Sequence, residues 1–472
     1  MTNIERRAFL KTASGTLLAI PAATSSIAWS EAKNTSAHST HEQAPRKPAP
    51  PHVSLSVKDL GAVGDGKADD TLSLQQSIDR CSVLGGGEVL VPAGNYSTGA
   101  LVLRSGVTLR IAEGASLLGI ADMNAYPLTQ VRWEGKWIKG RSALISATDC
   151  ENISISGPGK IVGSPEIRGR VDRKTGLRLP ALIEFVNCRN VSVENCETTC
   201  AGMWSIHPVY CENAAFRKMK IFSGADGIDV DSCHNVAIED CDFDTADDCI
   251  SLKSGRGEEG YTINRPTTDV RISGCTFIDH NFACIGIGSE TSAGIRGVRI
   301  SHCVCKGARS HAIYIKSRPG RGAFIEDIFV DDFEASSAQQ GFLRLNTLNS
   351  GKQDEFPVPG DDGIPTVRNF RFSNIRVHGL PALVEGWAIH PRKPLLGFTL
   401  ENVSGTVKSG IVLANVQNAV LRNIKVSGFE GPLLQIDHVT GQGLSGAAKL
   451  DLSKYPKPPD PIAPPAEPYK LH

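Results

Sequence analysis

The chain has 472 residues, with 50 basic and 50 acidic side chains and a formal net charge of zero. Nucleic acid and anionic membrane both select a basic surplus, so neither is an expected partner. Hydrophobic residues make up 40% of the chain, enough for a large core, and one domain of this length requires an architecture that grows along an axis.

The N-terminus reads as a targeting segment. ERRAFLK at residues 5–11 precedes a weakly apolar run rich in Ala, Ser and Thr, and resembles a twin-arginine export signal. The run is too short and too polar to span a membrane. Residues 1–32 are therefore expected to be a signal peptide, cleaved near residues 30–32, and the protein to be periplasmic or secreted. Residues 33–52 have the composition of a flexible linker.

VKDLGAVGDGKADDTLSLQQSIDRC, at residues 57–81, predicts one helix. Asp70 and Thr71 are its expected caps, and Leu72, Leu74, Ile78 and Cys81 its apolar contacts. A helix here would cover the open edge of whatever sheet follows.

From about residue 150 the chain restates one phrase: CENISISG, CRNVSVEN, CENAAFRK, CHNVAIED and TTDVRISG. Each is an Asn, Asp or Gly turn followed by about five residues of period-two alternation, the pattern of a half-buried strand. Val191, Ala214 and Val236 hold equivalent places 23 and 22 residues apart. That period fits one coil of a parallel β-helix, in which each strand pairs with its counterpart one repeat later. The expected fold is all-β, a single-domain parallel β-helix over residues 53–440 with the short N-terminal helix as its cap. A proline-rich tail, 441–472, follows as an extended strap or a disordered end. Most of the thirteen cysteines recur at one phase of the repeat, which favours buried packing over a disulfide framework.

DGIDVDSCHNVAIEDCDFDTADDCISLKSG, residues 226–255, holds eight aspartates and one glutamate. Residues at one phase of successive coils lie about 4.8 Å apart along the axis. Asp226 and Asp247, 21 residues apart, are expected at the same corner of neighbouring coils, with Asp248 beside them. Carboxylates that close cannot all ionise, so one becomes an acid beside a base, the pairing glycoside hydrolysis needs. Asp229, Asp231, Glu239, Asp240, Asp242 and Asp244 read as outward strand or turn residues. Calcium-loop spacing is absent, so no metal or other cofactor is expected.

GADGIDVDS, ADDCISLKSG, IGIGSE and IYIKS, with LGAVGDGKADDT and GGGEVLVPAGNY upstream, together resemble glycoside hydrolase family 28, the polygalacturonases and rhamnogalacturonases. The resemblance covers most of residues 55–430 and implies a right-handed, pectin-lyase-like β-helix that hydrolyses pectic polysaccharide or oligosaccharide with inversion. It implies Asp247 as proton donor, with Asp226 and Asp248 activating water. A calcium-dependent polysaccharide lyase and a non-catalytic carbohydrate-binding β-helix are the alternatives.

The departures from the family pattern bear on substrate. Its Asn-Thr-Asp is here Gly224-Ala225-Asp226, its Gly-His-Gly is Phe282-Ala283-Cys284, and its Arg-Ile-Lys is Tyr314-Ile315-Lys316. The arginine that the family uses on the sugar carboxylate is missing, and such a charge-assisted contact contributes on the order of 1.5–3 kcal/mol. Rhamnogalacturonan or another decorated pectin, attacked from a chain end, fits this pattern. Lys316, Lys253 and Glu290 are the candidate substrate contacts. Arg318 and Arg321 are the candidate replacement charges, and Tyr314 a sugar-stacking ring. Trp204 and His207 either line the groove or pack beneath it. Inserts at 168–180 and 255–266 are expected to close one end of the groove. The protein is expected to act as a monomer.

Overall fold

The computed structural model describes residues 53–460, together with 462, 463 and 469. The export segment and the linker expected at 1–32 and 33–52 lie outside the described residues.

Strands dominate, and 31 of them join one continuous sheet of parallel pairings. They stack in three series, one for each face of a coil. One series runs Glu151–Ser156, Arg189–Glu194, Glu212–Arg217, His234–Glu239, Thr267–Ser273. Val191 pairs with Ala214 and Ala214 with Val236, as the repeat predicts. This is a right-handed parallel β-helix, the hand that parallel crossovers adopt within one sheet.

The repeat's turn residue is explained by its backbone. Asn152, Asn190, Asn213 and Asn235 all have φ between 53° and 57°, the left-handed region that asparagine tolerates better than most side chains. Stacking then lines up their amides. Asn190 donates to Asn152 at 2.8 Å, Asn213 to Asn190 at 3.1 Å, and Asn235 to Asn213 at 2.7 Å. The interior is stacked in the same way, with Phe243 over Phe277 at 5.4 Å between centroids.

All thirteen cysteines are buried and none is in a disulfide. Cys188, Cys211 and Cys233 occupy one ladder, each thiol donating to a carbonyl of the preceding coil: Ala147, Phe185 and Pro208 respectively. Their recurrence follows from a small apolar side chain fitting this corner of every coil.

The N-terminal helix is Thr71–Val83, with Leu74, Ile78 and Cys81 fully buried against the first coils. Its cap differs from expectation. Asp70 makes no capping bond and instead accepts from the amides of Val63 and Gly64, at 2.5 and 2.9 Å. Asp69 accepts from the Thr71 amide at 3.0 Å. Leu72 is 68% exposed, because it lies on the helix face turned from the sheet.

Two further elements interrupt the coil. An antiparallel hairpin, Leu128–Trp133 with Lys136–Arg141, projects from it, and the 255–266 insert contains a second helix, Gly257–Ile263. Strands continue to Ala448–Lys449. The described part of the tail packs back on the coil, with Tyr455 against Trp387 at 4.5 Å and the Ile462 carbonyl accepting from the Gly360 amide at 2.8 Å.

Candidate active site

The site forms on the series containing Ile206–Val209, Ile228–Asp231, Ile250–Lys253, Ile285–Ile287 and His311–Lys316. Period two sends Ile228, Ile250, Ile285 and Ile313 into the core and their neighbours outward. Asp229, Ser251, Gly286 and Tyr314 therefore form one outward column, in register from coil to coil.

Asp226 and the Asp247–Asp248 pair sit in the corner just before two of these strands. Register makes Asp248 the counterpart of Asp226: the Gly227 amide donates to the Asp248 carbonyl at 3.0 Å, and the Asp247 amide to the Ala225 carbonyl at 3.2 Å. The expected partner of Asp226 was Asp247, and the true offset is 22 residues rather than 21. All three aspartates line one pocket of about 110 Å³, together with Arg170, Lys253 and Lys316. Asp226 and Asp248 are buried, whereas the Asp247 side chain at the rim is 30% exposed.

Each acid has its own electrostatic setting. Asp248 is held by the Lys316 ammonium at 2.6 Å, the Ala283 amide at 3.2 Å and the Ser251 hydroxyl at 3.3 Å. Burial pushes its carboxyl up to about 6, with Asp226 and Asp247 adding to the rise and Lys316 opposing it. Asp226 receives Lys253 at 3.2 Å, and the same ammonium donates to Asp229 at 2.6 Å. Two buried carboxylates share one cation, so burial and the neighbouring Asp226 drive Asp229 well above the ordinary range. Burial alone would lower Lys253, but Asp229 and Asp226 outweigh it and hold the ammonium charged. Asp247 takes a short hydrogen bond from Arg170, whose Nη2 also lies 3.8 Å from Asp226.

Asp229 and Asp231 are therefore not the solvated residues expected, although they point out from the coil. Both are fully buried, because the hairpin and the second helix cover the end of this strand. Asp231 binds Arg132 of the hairpin at 2.9 Å, and Arg132 reaches Glu259 of the helix at 3.0 Å. Glu134 of the hairpin turn and Arg170 of the 168–180 insert line the pocket, so these two segments build its wall.

The other predicted contacts divide. Lys253, Lys316 and Glu290 all line the pocket, but both ammonium groups are occupied by aspartates rather than free for an incoming anion. Burial would raise Glu290, but Lys253, Arg321 and Lys316 hold it below its usual value. Tyr314 is 8% exposed, packed between Phe282 and His311 and bonded to Ser350, so it offers no ring face to a sugar. Arg318 donates to the Gly351 carbonyl and does not line the pocket. Arg321 is buried beneath the wall, bonded to the Ser289 and Lys352 carbonyls, and burial lowers it to about 10. Trp204 lines the pocket, stacked on Trp133 at 5.2 Å with Lys253 over its ring at 4.3 Å. His207 is buried against Glu184 at 3.0 Å. Sequence reasoning missed Arg170 and Glu134, whose only trace was that they fall in non-repeating segments. Among the described residues no cluster of His, Cys, Asp and Glu is arranged to hold a metal ion.

Comparison with known proteins gives the chain a family. Residues 81–343 match Glycosyl hydrolases family 28. A probable polygalacturonase of Vitis vinifera is 28% identical over 380 residues, covering 74% of each chain. A hyperthermoactive exopolygalacturonase structure from Thermotoga maritima superposes with a TM-score of 0.70 and 28% identity, covering 80% of this chain and 93% of that one. The Yersinia enterocolitica family 28 exopolygalacturonase, at 20% identity and a TM-score of 0.71, shares the fold over 85% of this chain and 79% of its own. A family match across more than half the sequence, on a coil that gathers three aspartates at one corner, leads to one assignment: the chain belongs to the family 28 glycosyl hydrolases and is a glycosidase.

Proposed function

We propose that this glycosidase removes uronate-containing residues from the ends of pectic oligosaccharides, with inversion at the anomeric carbon. One observation supports it above the others: Asp226, Asp247 and Asp248 line a single pocket, the first and last buried and Asp247 partly exposed at its rim. Asp247, the most accessible of the three, gives its proton to the glycosidic oxygen as the bond to the anomeric carbon breaks. Asp226 and Asp248 draw a proton from the water that attacks the opposite face of the ring. The buried lysines keep two neighbouring carboxylates from repelling each other out of position. Glu134 of the hairpin and Arg170 of the 168–180 insert border the pocket, which fits exo action. The resemblance of residues 5–11 to a twin-arginine signal supports export, and the protein acts as a monomer.

Incubation with homogalacturonan and rhamnogalacturonan oligosaccharides, with early products followed by NMR, tests this. The expected result is stepwise loss of terminal residues with inverted anomeric configuration and no unsaturated product. Retained configuration, or ultraviolet-absorbing uronides, would overturn the mechanism, and a ladder of intermediate sizes would overturn exo action.

A further inference from the structure

The pocket poses an electrostatic problem. Asp226, Asp247, Asp248, Glu134 and Glu290 all line it, and a uronate would bring yet another negative charge. Its two lysines are buried and locked onto those aspartates: Lys253 bridges Asp226 and Asp229, and Lys316 holds Asp248. The tyrosine at the family's arginine position is packed away, Arg321 is held by backbone carbonyls and Asp354, and Arg318 does not line the pocket. Arg170 is the remaining cation among the lining residues. Its side chain is 37% exposed, and it rides on an insert loop rather than on a rung of the coil.

We propose that Arg170 is the specificity residue for the substrate carboxylate, and that it leaves Asp247 to bind the uronate at the cleavage position. The proposal rests on the proposed function and deepens it. A guanidinium carries five donors in a planar fork matched to a carboxylate, which suits it to accept a second anion at the same place. Only a substrate bearing a carboxylate makes the exchange, so recognition of the substrate also frees Asp247 from its ion pair.

The test compares a galacturonate oligosaccharide with its methyl ester, which differs only in the charge. Wild-type enzyme should favour the acid, and Arg170→Gln should erase that preference by raising KM for the acid on the order of tenfold to a hundredfold. Arg170→Lys should restore part of it. Binding is measured separately by calorimetry in Asp247→Asn, where the arginine has only the longer contact to Asp226, at 3.8 Å, to leave. Galacturonate oligosaccharide should bind this variant more tightly than wild type, and adding Arg170→Gln should remove the gain. If Arg170→Gln weakens acid and ester equally, or Asp247→Asn leaves affinity unchanged, the assignment of Arg170 fails. If wild-type enzyme turns over neither acid nor ester, the proposed function itself fails.

Discussion

Asp248 lies directly over the bare α-carbon of Gly286. A β-carbon at Gly286 would fall 2.3 Å from Asp248 Oδ2. Gly286 needs no unusual backbone angle, so its value is the space it leaves for the carboxylate. Gly286→Ala should therefore fold normally while pushing Asp248 aside. A loss of kcat of at least tenfold with little change in melting temperature is expected. A fully active variant would show that Asp248 need not sit where it does.

Asp247→Asn removes the proposed proton donor without altering shape. The expected loss in kcat is about 10²–10⁴-fold, the range that positioned acids contribute, while oligosaccharide binding is tightened rather than lost. Steady-state kinetics beside calorimetry separate the two. Turnover near wild-type level would transfer the acid's role to another group.

The pH dependence follows from Asp248. Its carboxyl, raised to about 6 chiefly by burial, has to be ionised in the proposed role of activating water, so kcat/KM should climb with pH through about 6. Lys316 favours the ionised form, and Lys316→Met should shift that limb to higher pH. Stability carries the matching sign. A carboxyl whose folded value exceeds its unfolded value of 3.8 stabilises the fold below about pH 4, and this contribution is lost as pH rises through about 6. Rate profiles of both proteins decide the matter, and a limb that stays put would refute the assignment.

The Arg132–Asp231 pair fastens the pocket wall to the coil in a dry setting, each side chain only 1% exposed. Breaking a buried pair typically costs about 3–5 kcal/mol, and Asp231→Asn leaves Arg132 with Glu259 as its remaining partner. Asp231→Asn should lower unfolding stability by up to that amount, and the double change Arg132→Met with Asp231→Leu should regain much of it. Denaturant titration of the three proteins would expose a purely surface role as a change near zero.

Asn213 stands in the middle of the amide ladder with φ of 57°. Asn213→Ala loses two side-chain hydrogen bonds and meets the left-handed penalty, together about 1–2 kcal/mol. Asn213→Gly should cost less, because only the bonds are lost. Equal costs would remove the conformational part of this account.

The coil was legible because its rungs repeat. The phase of Val191, Ala214 and Val236 gave the pairing that the coordinates carry, and the recurring cysteines and asparagines marked the ladders inside and at the corner. The three aspartates were legible for the same reason, being placed by rungs. What escaped lies in segments that do not repeat. Arg170 and Glu134 reach the pocket from inserts whose path no periodicity encodes. Tyr314 was misread because period two sends it outward, and only the packing of Phe282 and His311 shows that outward there still means covered. Asp229 and Asp231 were misread for the same reason, since the hairpin above them is distant in sequence.

The amide ladder and the strand pairings join each coil only to the coils on either side. Such a stack has no keystone, and its weakest points are its two ends. The helix Thr71–Val83 closes one of them and the Trp387–Tyr455 contact buttresses the other. Asp226, Asp247 and Asp248 stand several coils in from both ends.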